Sequence, residues 1–197
     1  MLMTNIKIIF MVLMLHISVS CEAPTASESA RTLNTGEIII EDFDTFDLLD
    51  WQIVNDGVMG GISTSNFRVF DNATSSFQGN LSLANNGGFA SMRAYYNSSL
   101  EGISKIKISV KGDGKRYIFR VRTDEVYWAA YGISFETIKD EWIDYEFQLK
   151  DFIPTSRGYQ LKNMPNLNEL DIREIGFMIS DKQEGTFQLS IDWIKAQ

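Results

Sequence analysis

The sequence predicts an all-β fold, an antiparallel two-sheet sandwich or jelly roll, on three observations. Ile, Val, Phe, Tyr and Trp together outnumber Leu and Ala roughly twofold, an excess of residue types that suit a pleated, half-buried surface. Apolar and polar residues alternate with a period of two in several runs, the pattern of a strand with one dry and one wet face. Turn residues separate these runs at short intervals, at Asn55-Asp56-Gly57, Asn85-Asn86-Gly87-Gly88, Gly112-Asp113-Gly114 and Glu184-Gly185.

Taken along the chain, the alternation assigns an inward row to each run. Ile106, Ile108 and Val110 oppose Lys105, Lys107, Ser109 and Lys111, and Tyr117, Phe119 and Val121 oppose Arg116, Ile118, Arg120 and Arg122. The run Tyr127, Ala129, Tyr131, Ile133 and Phe135 leaves Trp128 on the opposite side. Tyr145, Phe147 and Leu149 form a further inward row, as do Phe187, Leu189, Ile191 and Trp193. No apolar segment has a 3.6-residue period long enough for a major helix. Short helical turns are expected at most over Glu136 to Glu141 and Leu167 to Glu174.

The N-terminus reads as an address. Met1 to Lys7 carries one positive charge, and Ile8 to Val19 is an apolar run broken only by His16 and Ser18, too short for a membrane-spanning helix of about 20 residues. Residues 1–20 are therefore expected to be a secretory signal. Ser18-Val19-Ser20-Cys21 resembles a bacterial lipobox, with Ser18 where such boxes usually carry Leu, so Cys21 is the expected lipidation site. Cleavage after Ser20 by ordinary signal peptidase fits the same small residues. The location this implies is an exported, membrane-anchored lipoprotein facing the periplasm or the cell surface. Residues 22–36, rich in Ala, Ser, Thr and Glu, read as a flexible linker, and 37–197 as a single domain. Removing 1–20 discards Lys7 and no acid, taking the net charge from -8 to about -9, which disfavours nucleic acid as a partner.

The one His and the one Cys are His16 and Cys21, so the domain itself offers neither imidazole nor thiol. Ser-His-Asp and Cys-His catalysis, zinc sites built on those ligands and iron-sulfur clusters drop out, and no cofactor is expected. Glu125, Glu136, Glu141 and Glu146 show no spacing that singles out an acid/base pair. Gly57-Val58-Met59-Gly60-Gly61 is not a dinucleotide fingerprint and Gly114-Lys115 is not a phosphate loop, so these glycines read as tight turns needing positive φ. Asp42, Asp44, Asp47 and Asp50 depart from an EF-hand, with Asp42 and Asp44 as the residual calcium candidates beside the plainer reading of a solvated acidic edge. The sequons at Asn72, Asn80 and Asn97 mark surface positions.

The outward face of the central strands is the expected binding surface. Arg120 and Arg122 point away from the core, Arg93 joins them if Met92 and Ala94 point inward, and Trp128 adds an aromatic ring. Such a group can anchor a protein partner or stack on a sugar. The opposing reading places Trp128 in a core under a loop.

Four segments together resemble the complex I intermediate-associated protein 30 family: Trp51 to Ser63, Phe77 to Arg93, Val110 to Tyr117 and Ile175 to Ile194, with Asp151-Phe152 and Arg157-Gly158 in step. The resemblance spans residues 38–194. It implies a galactose-binding-like β-sandwich and a non-enzymatic role, because mitochondrial members act as chaperones in assembly of respiratory complex I. The expected partners are protein clients, with respiratory-complex subunits among them, at a membrane reached through the lipid anchor. Export sets this chain apart from those matrix proteins, and a cell-surface carbohydrate-binding module is the alternative.

Overall fold

The structure is a computed structural model that describes residues 31–32, 36–44, 48–100, 102–167 and 172–197. The expected signal segment, Cys21 and most of the expected linker lie outside these residues. Among the described residues, fourteen strands form two antiparallel seven-stranded sheets. The first sheet holds β1 (Arg31–Thr32), β2 (Ile38–Glu41), β4 (Thr64–Phe70), β5 (Thr74–Leu81), β7 (Lys105–Lys111), β10 (Trp142–Gln148) and β14 (Gly185–Ala196). Its pivot is β14, which pairs along one edge with β5 and then β2, and along the other with β7. Thr32 and Arg31 pair with Ile38 and Ile39, so sheet structure begins inside the span read as a linker. The second sheet runs β12 (Tyr159–Gln160), β11 (Ile153–Ser156), β9 (Ala130–Glu136), β8 (Arg116–Thr123), β13 (Ile172–Ile179), β6 (Ala90–Tyr95) and β3 (Gln52–Asn55).

The core lies between the facing rows that alternation predicts, except that Tyr127, expected inward, is 74% exposed in the turn before β9. Ile106, Ile108 and Val110 are buried on β7, and Tyr117, Phe119 and Val121 on β8. Met92 and Ala94 on β6, and Ile175, Phe177 and Ile179 on β13, complete the inner face of the second sheet. Phe119 meets Phe177 edge-on at 5.2 Å and also lies against Phe147 and Phe152, so aromatic rings stitch the layers together.

The inward row of β14 does not hold to its end. A bulge between Ile191 and Trp193 shifts the pairing with β7, so Ile194 and Ala196 become the buried residues and Trp193 leaves the row, where Lys195 Nζ lies 4.2 Å from its ring. One extra residue exchanges the faces of a strand. Leu149 is buried as expected but sits in a 3₁₀ turn (Leu149–Asp151) rather than in β10. Glu136 to Glu141 forms no helical turn. Glu136 ends β9, Lys139 bridges to Gly112, and Asp140 turns with φ 61°. Of the other expected turn, Leu167 lies outside any element, 168–171 outside the described residues, and Ile172 to Glu174 in β13.

Candidate functional site

Sheet order decides which outward residues meet. Across the second sheet one register row reads Gln52, Arg93, Gly176, Arg120, Gly132 and Ile153. The neighbouring row places Glu174 between Tyr95 and Arg122. These rows floor a cleft of about 530 Å³ on the outer face, lined in part by Arg93, Arg120, Arg122, Glu174 and Trp128. All four residues expected to bind a partner therefore share one cavity.

Electrostatics within it are uneven. Glu174 accepts Arg122 Nε at 3.0 Å and lies 3.4 Å from Arg93 Nη1, with only 12% of its side chain exposed. Arg122 also donates from Nη1 to the Tyr127 carbonyl at 2.9 Å, and Ser156 Oγ donates to the Trp128 carbonyl at 3.3 Å. These two bonds pin the turn after β8 that carries Trp128, which is 51% exposed, so the core reading of this ring does not hold. Arg120 is different. Among the described residues it forms no ion pair, and it donates from Nη1 to Met178 Sδ at 3.0 Å, a weak acceptor. Burial, the adjacent Arg122 and, more weakly, Arg93 depress its pKa against the opposing pull of Glu174, to about 10. It remains a cation at neutral pH, held where a cation is costly.

The opposite rim is built by a buried carboxylate. Asp56, fully shielded from solvent, accepts Ser63 N–H at 3.0 Å, the Ser63 hydroxyl at 2.5 Å, Gly88 N–H at 2.7 Å and Phe89 N–H at 3.3 Å. Burial alone would raise its pKa, but these hydrogen bonds outweigh it and hold the carboxyl below the usual carboxylate range. One side chain thus ties the 3₁₀ turn Asp56–Met59 to the start of β4 and to the loop before β6. This revises the reading of the glycines. Gly60, Gly88 and Gly114 do adopt positive φ. Gly57, Gly61, Gly87 and Gly112 do not. A Cβ on Gly61 or Gly87 would lie 2.4 or 2.6 Å from the Asp56 carboxylate, and one on Gly112 would lie 2.2 Å from Thr137 Oγ1. Close approach, rather than turn conformation, requires glycine there. Asn55 accepts the Ser65 hydroxyl at 2.7 Å, and Asp113 plays the same bracing part elsewhere, accepting Lys115 N–H, the Tyr117 hydroxyl and Gln188 N–H at 3.0 to 3.1 Å.

The rim also displays apolar surface. Val58, Met59 and Ile62, in and just after the turn that Asp56 begins, are each more than half exposed, and Met59 lines the cleft. Sequence reading missed Glu174, Arg157, Met59 and Met178 as cleft residues. Glu174 and Met178 were within reach, because they alternate with Ile175, Phe177 and Ile179. Among the described residues no three His, Cys, Asp or Glu come together as a metal site. Asp42 accepts Asp44 N–H at 3.3 Å in a local turn, while Glu41 is the carboxylate that turns inward, accepting Phe43 N–H, Leu49 N–H and Trp51 Nε1–H. Asp47 lies outside the described residues.

Residues 41–191 match the family model for complex I intermediate-associated protein 30. "Probable complex I intermediate-associated protein 30, mitochondrial" of Caenorhabditis briggsae is 27% identical over 201 residues, covering 90% of this chain. The chain spans 59% of that relative's length. Among solved structures, a family 11 carbohydrate-binding module from Clostridium thermocellum, in complex with a β-1,3-1,4-mixed-linked tetrasaccharide, superposes with a TM-score of 0.61 at 17% identity, covering 81% of this chain and 94% of that one. A family 29 carbohydrate-binding module superposes with a TM-score of 0.51 at 10% identity, covering 81% and 89%. At such identities the likeness is one of fold, a two-sheet β-sandwich.

Proposed function

The chain belongs to the complex I intermediate-associated protein 30 family, and from that premise we propose that it is a non-catalytic binding module that holds a protein client during assembly of a membrane complex. The observation that carries this reading is the cleft itself. Arg93, Arg120, Arg122 and the exposed Trp128 converge on a strand-built floor and wall, beside the exposed Val58, Met59 and Ile62. Arg, Trp and Met are the residue types enriched in protein interfaces, and a cluster on rigid strands binds without first paying to order itself. The name of the Caenorhabditis briggsae relative associates that protein with complex I, which supports an assembly client. The N-terminal segment fits the same reading as a lipoprotein signal. Lipid on Cys21 and the stretch 22–30 before β1, spanning at most about 30 Å, would keep the module within reach of a membrane-bound client.

The test is affinity capture of the tagged protein from native membranes, alongside Trp128→Ala. Recovery of subunits of one defined membrane complex by the wild type, and their loss with Trp128→Ala at unchanged melting temperature, is the expected result. Equal recovery with and without Trp128, or no specific protein, overturns the reading.

A second reading rests on Trp128 alone. An aromatic ring on the wall of a concave sheet face can stack on a sugar, which makes a cell-surface carbohydrate-binding module the alternative. Glycan enrichment without any protein client in the same capture would select it.

A further inference from the structure

The cleft is a basic spot on an acidic molecule. Four guanidinium groups line it, those of Arg93, Arg120, Arg122 and Arg157, against the carboxylates of Glu174 and Asp181, in a chain of net charge -8. Both carboxylates are occupied. Glu174 is shared by Arg93 and Arg122, and Asp181 pairs with Arg116 Nε at 3.4 Å. Arg120 stands between two glycines in its register row, Gly176 on one side and Gly132 on the other. Neither glycine sends a side chain over it, and a Cβ on Gly176 would fall 2.3 Å from the Met92 carbonyl, so that position cannot carry one. Arg93 faces Arg120 across Gly176, two strand spacings or about 9.5 Å away.

We propose that this floor is a carboxylate-binding site, in which an aspartate or glutamate side chain of the client enters above Gly176 and accepts hydrogen bonds from Arg120, with Arg93 beside it. The proposal rests on the protein-client reading and names the chemistry of the segment bound: acidic, with apolar neighbours. A guanidinium presents a planar fork that matches a carboxylate, and in a partly dehydrated cleft such a bond is stronger than on open surface. An entering carboxylate also offsets the burial and the repulsion from Arg122 and Arg93 that together depress the Arg120 pKa. Exposed Met59 on the cleft wall, with Val58 and Ile62 exposed in and just after the same turn, suits apolar side chains flanking the acid, whereas a flat polar sugar chain makes poor use of them. A basic cluster on a molecule of opposite net charge also steers an acidic segment to this face.

The test uses the full chain and a labelled hexapeptide of glutamates and leucines, its counterpart with every glutamate replaced by glutamine, and oligogalacturonate. Binding is followed by fluorescence anisotropy and by Trp128 emission. The glutamate peptide should bind about tenfold or more tightly than the glutamine one, and Arg120→Gln should remove that preference while the protein melts cooperatively. Arg120→Lys, which keeps the charge without the fork, should restore part of it. Equal affinity for both peptides, an unchanged preference in Arg120→Gln, or stronger binding of oligogalacturonate than of the glutamate peptide would each overturn the proposal. Capture of the same membrane subunits by wild type and Arg120→Gln would overturn it while leaving the client reading intact. Peptide preference without any captured client would do the reverse.

Discussion

Asp56→Asn is the sharpest perturbation this fold permits, because it changes one charge and almost no volume at a side chain with no solvent exposure. The aspartate oxygens together accept four hydrogen bonds, three from backbone N–H groups of Ser63, Gly88 and Phe89 and one from the Ser63 hydroxyl. The asparagine amide supplies one acceptor oxygen and one donor nitrogen. If its nitrogen faces Gly88 and Phe89, two part-buried N–H groups lose their partner; if it faces the Ser63 N–H, one does. Each orphaned donor costs roughly 1–3 kcal/mol, so the variant should lose about 1–3 kcal/mol in the cheaper orientation. For a domain of this size that lowers Tm by roughly 3–10 °C. The pH dependence has a definite sign. The folded pKa lies below the unfolded one, so Asp56 contributes its stability fully above about pH 4 and loses it as pH falls through the folded value. Asp56→Asn should accordingly be destabilised most at neutral pH and show a flatter acid limb than the wild type. Urea unfolding at pH 7 and pH 3, with amide exchange at Gly88 and Phe89, measures both. A loss below about 1 kcal/mol at pH 7 would sink the view that this carboxylate holds the rim together.

Three further substitutions probe other links. Tyr117→Phe deletes the bond from the Tyr117 hydroxyl to Asp113 and should cost about 1 kcal/mol in urea unfolding, and no loss would mean that Asp113 is held by Lys115 and Gln188 alone. Gly79→Ala places a Cβ about 2.0 Å from the Thr64 carbonyl, where β4 and β5 pair, and should lower stability by roughly 1–3 kcal/mol, a neutral melting curve refuting that close approach. Arg120→Gln removes a dehydrated cation that has no ion-pair partner among the described residues and should raise Tm of the unliganded protein by a few degrees; a clear fall would show that the Arg120 stem packs more than its charge costs.

The behaviour of individual residues shows how far one chain can be read alone. Alternation placed Arg93, Arg120 and Arg122 outward correctly, because each flanks residues too apolar to face water: Met92 and Ala94, Phe119 and Val121. It failed at Trp193, because a bulge is a property of pairing between strands and leaves little trace in either strand by itself. The glycines of the Asp56 motif announced a tight structure, but the reason for Gly61 and Gly87 lay elsewhere. They make room for a carboxylate five residues back along the chain in one case and thirty-one in the other.

Sequence by itself therefore determined the class of fold, the inward rows of β7, β8 and most of β14, and the absence of imidazole and thiol from the domain, since these follow from side-chain type and a two-residue period. Tertiary structure alone decided that β8, β13 and β6 lie side by side. That order brings Arg93 and Arg120 to either side of Gly176, seats Glu174 beside Arg93 and Arg122 rather than Arg120, and sets Trp128 on the wall of the cleft. Strand order depends on contacts between residues far apart in the chain, which no local pattern encodes, and a binding site is a set of such contacts.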